Sequence, residues 1–249
     1  METFAGAANE GKAPVAGLFF TGTDTGVGKT FIAAAVAHLL RAGGCEVAVS
    51  KPVATGAQPY AGGWISDDTR LLAQAAGQED AWRRITPWAF PEPVAPPVGA
   101  RWHGVTLRLE ELARAVRVLA KPDRFLLVEG VGGLLCPLTD HETVADLARE
   151  LELPLVLVTR RSLGTLNHTL LTLEAACTRG LHMAGIVVNE AAPGAGPAWQ
   201  TNIAELQQRV DVPVLAVVPF QAEVNPCTCA ALAGIDWRRL CLTRQLKYS

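Results

Sequence analysis

A glycine-rich run at residues 22–30, G-T-D-T-G-V-G-K-T, has the clearest chemical potential in the sequence. It lies between two apolar runs, 15–20 and 31–40, which predicts a strand, a loop and a helix. Glycines let successive backbone N–H groups turn inward around a polyphosphate, and the helix N-terminus adds positive charge. The sequence therefore predicts a nucleoside triphosphate site. We expect its nucleotide-binding residues to be Asp24, Thr25, Gly26, Val27, Gly28, Lys29 and Thr30.

Within this run, Lys29 would supply a charge for the outer phosphates and Thr30 a hydroxyl for Mg²⁺. The run departs by one position from the pattern G-x-x-x-x-G-K-[ST]. Counting back from Gly28, the first glycine of the pattern falls at Thr23, whereas this chain has its glycine at Gly22. Only the second half of the run matches in register.

Polar residues also end the other apolar runs. Lys51 follows the run 46–50, Glu129 closes the run 124–129, and Asn189 closes the run 184–189. In open parallel sheets, ligands bind beyond the carboxyl ends of the strands. A carboxylate that closes an apolar run is at least partly buried and needs a cation, which is either Mg²⁺ or the partner in a structural salt bridge.

Other polar residues and glycines are further candidates, and some of them have two possible roles. Asp67 and Asp68 open a predicted helix, where one of them can bind metal or simply cap the helix, and we favour Asp68 as the ligand. Asn189 can cap a turn or bind the edge of adenine. The run 162–168 predicts a helix start whose free N–H groups suit a carboxylate. Glycines at 130–133 allow the backbone to pass close to a ligand.

The chain alternates predicted strands and helices, which favours an α/β fold with a mostly parallel central sheet and helices on both faces. We expect residues 1–14 to be a disordered tail, 15–249 to form one domain, and 87–104 to be a long ordered loop. The predicted strands are 17–21, 46–50, 124–129, 155–159, 184–189 and 214–218. The predicted helices are 29–41, 68–76, 108–120, 143–151, 163–179 and 197–209.

Composition excludes several classes of function. A net charge of −2 and a pI near 6.2 argue against nucleic acid as a partner. The apolar runs are of strand length, and the N-terminus lacks the apolar core of a secretory signal, so we expect a cytoplasmic protein without a membrane partner. The six cysteines lack zinc spacing and are expected to be reduced thiols.

Taken together, four segments resemble the dethiobiotin synthetase family, and the resemblance extends over about residues 17–225. They are the run at 22–30, K-P-V-A-T-G at 51–56, V-E-G-V-G-G at 128–133 with P-L-T-D at 137–140, and L-G-T-L-N-H-T-L-L-T at 163–172. The resemblance implies a P-loop NTPase-like fold. It also implies that ATP and Mg²⁺ are used to join CO₂ to 7,8-diaminononanoate and close a cyclic urea, by way of a carbamate and a carbamic–phosphoric anhydride.

The resemblance also implies roles for individual residues and a homodimer whose substrate lies near the subunit interface. The implied catalytic residues are Lys29, Lys51 and Thr25. The implied metal ligands are Thr30, Asp68 and Glu129, and Asn189 would bind adenine. The implied substrate-binding residues are Thr25, Lys51 and Thr55, together with Gly164, Thr165, Leu166 and Asn167 at the helix start of the partner. Val131 replaces the commoner alanine, and the segments 191–201 and beyond 225 match poorly.

Three alternatives remain open on the sequence. A P-loop switch ATPase of the partitioning or septum-positioning kind (ParA/MinD-like) would need a lysine early in the loop, where this chain has Thr23 and Asp24. An amidating relative of cobyrinate synthesis would need an additional glutamine-hydrolysing domain. A paralogue that kept the fold and lost the activity is the third.

Overall fold

The computed structural model describes residues 15–222 and 225–242. The expected N-terminal tail at 1–14 lies outside the described residues, as do 223–224 and 243–249. The strands, in chain order, are β1 (Gly17–Gly22), β2 (Glu46–Ser50), β3 (Val53–Thr55), β4 (Gln58–Tyr60), β5 (Gly63–Ile65), β6 (Trp88–Phe90), β7 (Arg124–Glu129), β8 (Leu155–Arg160), β9 (Met183–Asn189) and β10 (Val214–Val218). The helices are α1 (Lys29–Ala42), α2 (Asp67–Ala76), α3 (Trp82–Ile85), α4 (Pro96–Trp102), α5 (Leu109–Arg117), α6 (Val144–Leu151), α7 (Thr165–Thr178), α8 (Pro197–Gln207) and α9 (Trp237–Leu240).

The central sheet contains six strands in the order β10-β9-β8-β1-β7-β2, and all of its strand pairs are parallel. These are the six strands predicted from the apolar runs, with ends that shift by at most one residue. The α/β class and the parallel sheet are therefore confirmed.

The sheet is buried on both faces because its strands are apolar at consecutive positions. Along β1, Phe19 packs into one core with residues of α5, α6 and α7, whereas Leu18 and Phe20 pack into a second core with α1 and α2. Successive side chains of a strand point to opposite faces, so an uninterrupted apolar run supplies both cores at once. Among the described residues, no helix combines the length and apolar character needed to cross a bilayer.

The stretch between β2 and α5 is more structured than the sequence analysis predicted. Residues 87–104, expected to be a loop, contain the strand β6 and the helix α4. Strand β6 pairs with β3 in a small parallel sheet, and β4 pairs with β5 in a hairpin. Pro96 begins α4, where a fixed φ suits a first helical residue, so a proline-rich stretch was compatible with a helix.

Strand register brings the polar strand ends to one edge. Phe20 of β1 pairs with Glu129 at the end of β7, and Gly22 pairs with Val158 near the end of β8. Arg160 of β8 in turn pairs with Asn189 of β9. The carboxyl ends of neighbouring parallel strands thus surround the loop that follows β1.

Candidate active site

The loop between β1 and α1 presents an uncapped helix N-terminus. Gly28 precedes the helix with φ of 92°, no side chain caps it, and its first turn contains no acidic residue. By contrast, α6 is closed by a capping box in which Thr143 and Asp146 satisfy the terminal backbone groups. Free N–H groups and a positive dipole end at α1 suit an anion. Lys29, only 6% exposed, donates from Nζ to the carbonyl oxygen of Asp24 at 2.9 Å, across the same loop.

Two glycines of this loop are required by close packing. A Cβ at Gly28 would lie 2.1 Å from Nδ2 of Asn189, and a Cβ at Gly22 would lie 2.8 Å from Cγ2 of Val27. Contacts below 3 Å leave no room for a side chain unless the neighbouring atoms move. The glycine that stands one position early in the motif is therefore explained by its contact with Val27.

A buried ion cluster lies beside the loop. Nζ of Lys51 lies 2.7 Å from Oε1 of Glu129 and 2.5 Å from Oδ2 of Asp68. Thr30 donates its hydroxyl to the same Oε1 of Glu129 at 2.8 Å. Lys51 and Glu129 are almost fully buried, whereas the side chain of Asp68 is 46% exposed. The structure thus brings Lys51 together with the predicted metal ligands Thr30, Asp68 and Glu129. They lie beside the loop that Lys29 crosses.

The pKa values in this cluster follow from burial and charge. Burial lowers the pKa of Lys51, but the nearby Glu129 and Asp68 more than offset it, so its pKa lies above the ordinary value of 10.5. Burial raises the pKa of Asp68, but Lys51 more than offsets that, and the net pKa lies below 3.8. For Lys29, burial dominates and lowers the pKa, only partly opposed by Glu129.

The residues present suit a magnesium ion that is also held by phosphates. Oε2 of Glu129 is buried and has no hydrogen-bond partner among the described residues, so a carboxylate oxygen is available as a ligand. In the described part of the chain, no three His, Cys, Asp or Glu side chains form a metal cluster by themselves. Mg²⁺ commonly binds one or two carboxylates and completes its shell with phosphates and water. A hydroxyl at Thr30 and carboxylates at Asp68 and Glu129 match that donor set.

The structure separates the two aspartates that the sequence left open. Ser66 caps α2 by accepting a hydrogen bond from the backbone N–H of Thr69 at 3.1 Å. Neither aspartate therefore caps the helix, which removes the capping alternative that the sequence left open. Asp67 is exposed, whereas Asp68 contacts Lys51 beside the loop. A serine before the pair was the sequence signal for this cap.

Asn189 is buried under the loop at 23–28 between β1 and α1, which we call the phosphate loop. Its Nδ2 donates to the backbone carbonyl of Val27 at 3.0 Å, and the side chain is 6% exposed. The same nitrogen is the atom that forces glycine at position 28. Asn189 thus supports the loop backbone, a role that the sequence analysis did not consider.

Two further predicted substrate residues are threonines in different elements. Thr25 is exposed within it, and Thr55 is half-buried at the end of β3. The glycines after Glu129 are crowded by protein atoms: a Cβ at Gly130 would lie 2.6 Å from Cγ1 of Val144, and one at Gly132 would lie 2.8 Å from Sγ of Cys136. These glycines are explained by packing.

The start of α7 is the second uncapped helix N-terminus at this edge. Gly164 precedes it with φ of 92°, no side chain caps it, and the first turn lacks acidic residues. Thr165 is buried, Leu166 is half-buried and Asn167 is exposed. The uncapped N-terminus suits an anion, and the carboxylate expected here stays a prediction.

Sequence reasoning missed two residues at the end of β8. Arg160 lies 3.3 Å from Oδ2 of Asp24 and donates to the carbonyl oxygen of Thr25 at 3.3 Å. Thr159 is fully buried, and its hydroxyl contacts threonines of both the loop and α7. The sequence showed a polar strand end at 159–162 but no signal for these partners.

Comparison with known proteins gives one matching family profile and a set of structures with low similarity. The profile of a family described as an AAA domain matches residues 16–228. The septum site-determining protein MinD of Pyrococcus horikoshii, solved with Mg-ADP, is 18% identical and has a TM-score of 0.49, with coverage of 90% of this chain and 93% of that chain. That similarity is too low to bear on function.

Curated relatives are much closer in sequence. The ATP-dependent dethiobiotin synthetase of Aromatoleum aromaticum is 40% identical over 213 residues, covering 86% of this chain and 94% of that protein. The enzyme of the same name from Anaeromyxobacter dehalogenans is 43% identical and covers 84% and 92%, and that of Pseudomonas aeruginosa is 43% identical and covers 86% and 94%. With this identity over nearly the full length of its relatives, the chain belongs to the ATP-dependent dethiobiotin synthetase family.

Proposed function

We propose that this protein uses ATP and Mg²⁺ to convert 7,8-diaminononanoate and CO₂ to dethiobiotin, ADP and phosphate. The observation that carries the proposal is the convergence of Lys29, Lys51 and Glu129 at one sheet edge in a chain of this family. No comparable feature favours the switch-ATPase alternative, because the early loop has no lysine.

The proposed reaction has three steps. One amine of the substrate adds CO₂ and loses a proton, which gives a carbamate. A carbamate oxygen then attacks the γ-phosphorus, and the bond to the ADP oxygen breaks. The second amine attacks the carbonyl carbon of this mixed anhydride, expels phosphate and loses a proton as the ring closes. None of these steps requires a nucleophile from the protein, so catalysis depends on position and charge.

Charge neutralisation is the main task of the two lysines. A carbamate and a γ-phosphate are both anions and must approach each other. At ~4 Å and an effective dielectric constant of ~20, two unit charges repel by about 4 kcal/mol. Lys29 extends across the phosphate loop, and Lys51 directly follows the last residue of β2. Lys29 would neutralise the outer phosphates and Lys51 the carbamate.

Bound Mg²⁺ would offset phosphate charge and orient the γ-phosphate. Thr30, Asp68 and Glu129 would hold it. In the structure Lys51 contacts both of these carboxylates, so ligand binding requires the ammonium group to share or leave them. Thr25 and Thr55 would bind the diamine or its carbamate, and Asn189 would bind adenine at the base of the loop that it supports.

We further propose a homodimer in which the substrate carboxylate binds the N-terminus of α7 in the partner. Leu163 is 87% exposed just before that helix, and Leu171 is 56% exposed on it. A contiguous exposed apolar patch marks a surface that another protein covers, and in the proposed dimer these two leucines would form part of such a patch. Gly164, Thr165, Leu166 and Asn167 would then complete the site across the interface.

The test is incubation of the protein with the diamine, ATP, Mg²⁺ and labelled bicarbonate. The proposal expects a labelled cyclic urea, with one ADP and one phosphate per ring closed. ATP hydrolysis that is independent of the diamine, with dimerisation only on ATP binding, would contradict it and favour the switch ATPase. Absence of both would identify an inactive paralogue.

A further inference from the structure

A cluster of threonine hydroxyls joins the phosphate loop to α7. The hydroxyl of Thr159 lies 2.8 Å from that of Thr165, the first residue of α7, and 3.0 Å from that of Thr169, one turn further on. Thr23, in the phosphate loop, donates to the hydroxyl of Thr159 at 3.4 Å. We call this set the threonine relay. It links two elements that the sequence separates by more than 130 residues.

Because the relay is buried, its hydroxyls depend on one another for hydrogen bonds. Thr159 and Thr169 are 0% exposed and Thr165 is 2% exposed, so none of them can replace a lost partner with bulk water. A hydroxyl has one donor and two acceptor positions, and the three neighbours of Thr159 use all of them. The central hydroxyl is thus saturated by groups of two functional elements.

The relay is reinforced by backbone contacts at the same place. The N–H of Thr23 donates to the carbonyl oxygen of Val158 at 3.1 Å. Arg160, on the other side of Thr159, reaches Asp24 and the carbonyl of Thr25. The end of β8 therefore fixes the first half of the phosphate loop, which is the half that departs from the usual spacing.

We propose that the threonine relay is a positioning network that sets the first turn of α7 relative to the phosphate loop, so that the helix start is ordered for substrate when nucleotide is bound. This inference rests on the proposed function, in which α7 of one protomer binds the carboxylate of the substrate at the partner's phosphate loop. The relay would therefore connect the phosphate loop of one protomer to the substrate of the other. Displacements of about 1 Å at such sites reduce rates by about 100-fold, so a hydroxyl that sets this spacing affects turnover without touching substrate.

The experiment replaces the central hydroxyl and compares it with a matched control. Thr159→Val removes the hydroxyl and keeps the shape, whereas Thr159→Ser keeps the hydroxyl. Thr21→Val is the control, since Thr21 is also fully buried, lies on the neighbouring strand β1, and its hydroxyl has no partner among the described residues. We expect Thr159→Val to lower kcat/KM for the diamine by about tenfold and to leave KM for ATP within about twofold.

Recovery of activity in Thr159→Ser distinguishes a positioning role of the hydroxyl from an effect on stability alone. Thr159→Ser should recover kcat/KM to within about threefold of wild type, and Thr21→Val should leave it unchanged. Equal losses in Thr159→Val and Thr21→Val, or no recovery in Thr159→Ser, would overturn the proposal. Should Thr159→Val fail to fold, Thr169→Val removes only an outer hydroxyl, and an unchanged kcat/KM in that variant would count against the relay.

Hydrogen exchange tests the relay independently of the reaction. In the wild type, adding the non-hydrolysable analogue AMP-PNP with Mg²⁺ should slow exchange of the amides at 165–169 by at least about fivefold relative to the nucleotide-free protein. In Thr159→Val the same addition should leave their exchange rates unchanged. Equal protection in both proteins would refute the coupling. A wild type that forms no cyclic urea but shows this difference would refute the proposed function alone.

Discussion

Replacement of Lys51 by glutamine gives the strongest test of the site, because one side chain affects both stability and catalysis. Its ammonium group lies between two carboxylates, at 2.7 Å from Glu129 and 2.5 Å from Asp68. Glutamine keeps a polar head of similar reach but removes the positive charge. Glu129, which is 1% exposed, is then a buried carboxylate that has lost its direct ion-pair partner and keeps only the charge of Lys29 nearby.

The expected loss of stability follows from this burial. Removing one partner of a buried ion pair destabilises a protein by about 3–5 kcal/mol. For a chain of this size each kcal/mol shifts Tm by about 2–4 °C, so Lys51→Gln should lower Tm by about 6–20 °C. Asp68 adds little, because its side chain is 46% exposed and solvent screens the pair. The double variant with Glu129→Gln should recover at least about half of the loss, since neither charge remains.

The expected loss of activity is larger than the loss of nucleotide affinity. If Lys51 offsets a repulsion of about 4 kcal/mol between carbamate and γ-phosphate, its removal slows transfer of the γ-phosphate to the carbamate by about 10³-fold. ATP binding should change by no more than about threefold, because the phosphate loop and Lys29 remain. Cyclic urea formation and ATP titration measure the two effects separately.

The pH dependence of stability is a second test of the ion pair. The pKa of Lys51 is raised, so its contribution to stability is complete below 10.5 and is lost as the pH rises through the higher folded-state pKa. The pKa of Asp68 is lowered, so its contribution is present above 3.8 and is lost as the pH falls through the lower folded-state value. The gap in Tm between wild type and Lys51→Gln should therefore narrow at high pH, as Lys51 loses its charge, and change little at low pH, because Asp68 contributes little.

The control for Lys51→Gln is Lys121→Gln, the same change at an exposed lysine. It should leave Tm and activity unchanged. A Lys51→Gln variant whose Tm and ring closure match those of Lys121→Gln would refute both the ion pair and the role at the carbamate.

Three further predictions concern the phosphate and metal residues. Glu129→Gln should raise the Mg²⁺ concentration for half-maximal activity by at least about tenfold, and an unchanged Mg²⁺ titration would contradict its role as a ligand. Gly28→Ala should abolish ATP binding and lower Tm more than Gly26→Ala does, because a Cβ at Gly28 would lie 2.1 Å from Asn189 whereas none at Gly26 meets an atom within 4 Å; equal Tm values would refute the packing argument. Asn189→Ala should weaken binding of both ATP and inorganic tripolyphosphate in calorimetry, because its amide supports the carbonyl of Val27; unchanged tripolyphosphate binding would limit Asn189 to the adenine.

The sequence predicted the strands and helices around the candidate site because local patterns specify them. The run 22–30 and the apolar runs around it are consecutive in the chain, so strand, loop and helix follow from glycine content and periodicity. Lys51, Glu129 and Asn189 each end an apolar run, and parallel pairing must bring such ends to one edge. The prediction of a loop at 87–104 was wrong because proline suits the first turn of a helix as well as a loop.

Contacts between distant segments were decided by the tertiary structure alone. No periodicity relates Thr23 to Thr159, or Arg160 to Asp24, because these pairs depend on which strand lies next to β1. The choice between metal ligand and helix cap at Asp68 also needed the position of Lys51, and the role of Ser66 needed the geometry of the cap. Residue types and their order thus determined the family and the reactive groups. Strand order and burial determined which of these groups share a hydrogen bond or a counter-charge, since those energies depend on distances of a few ångströms.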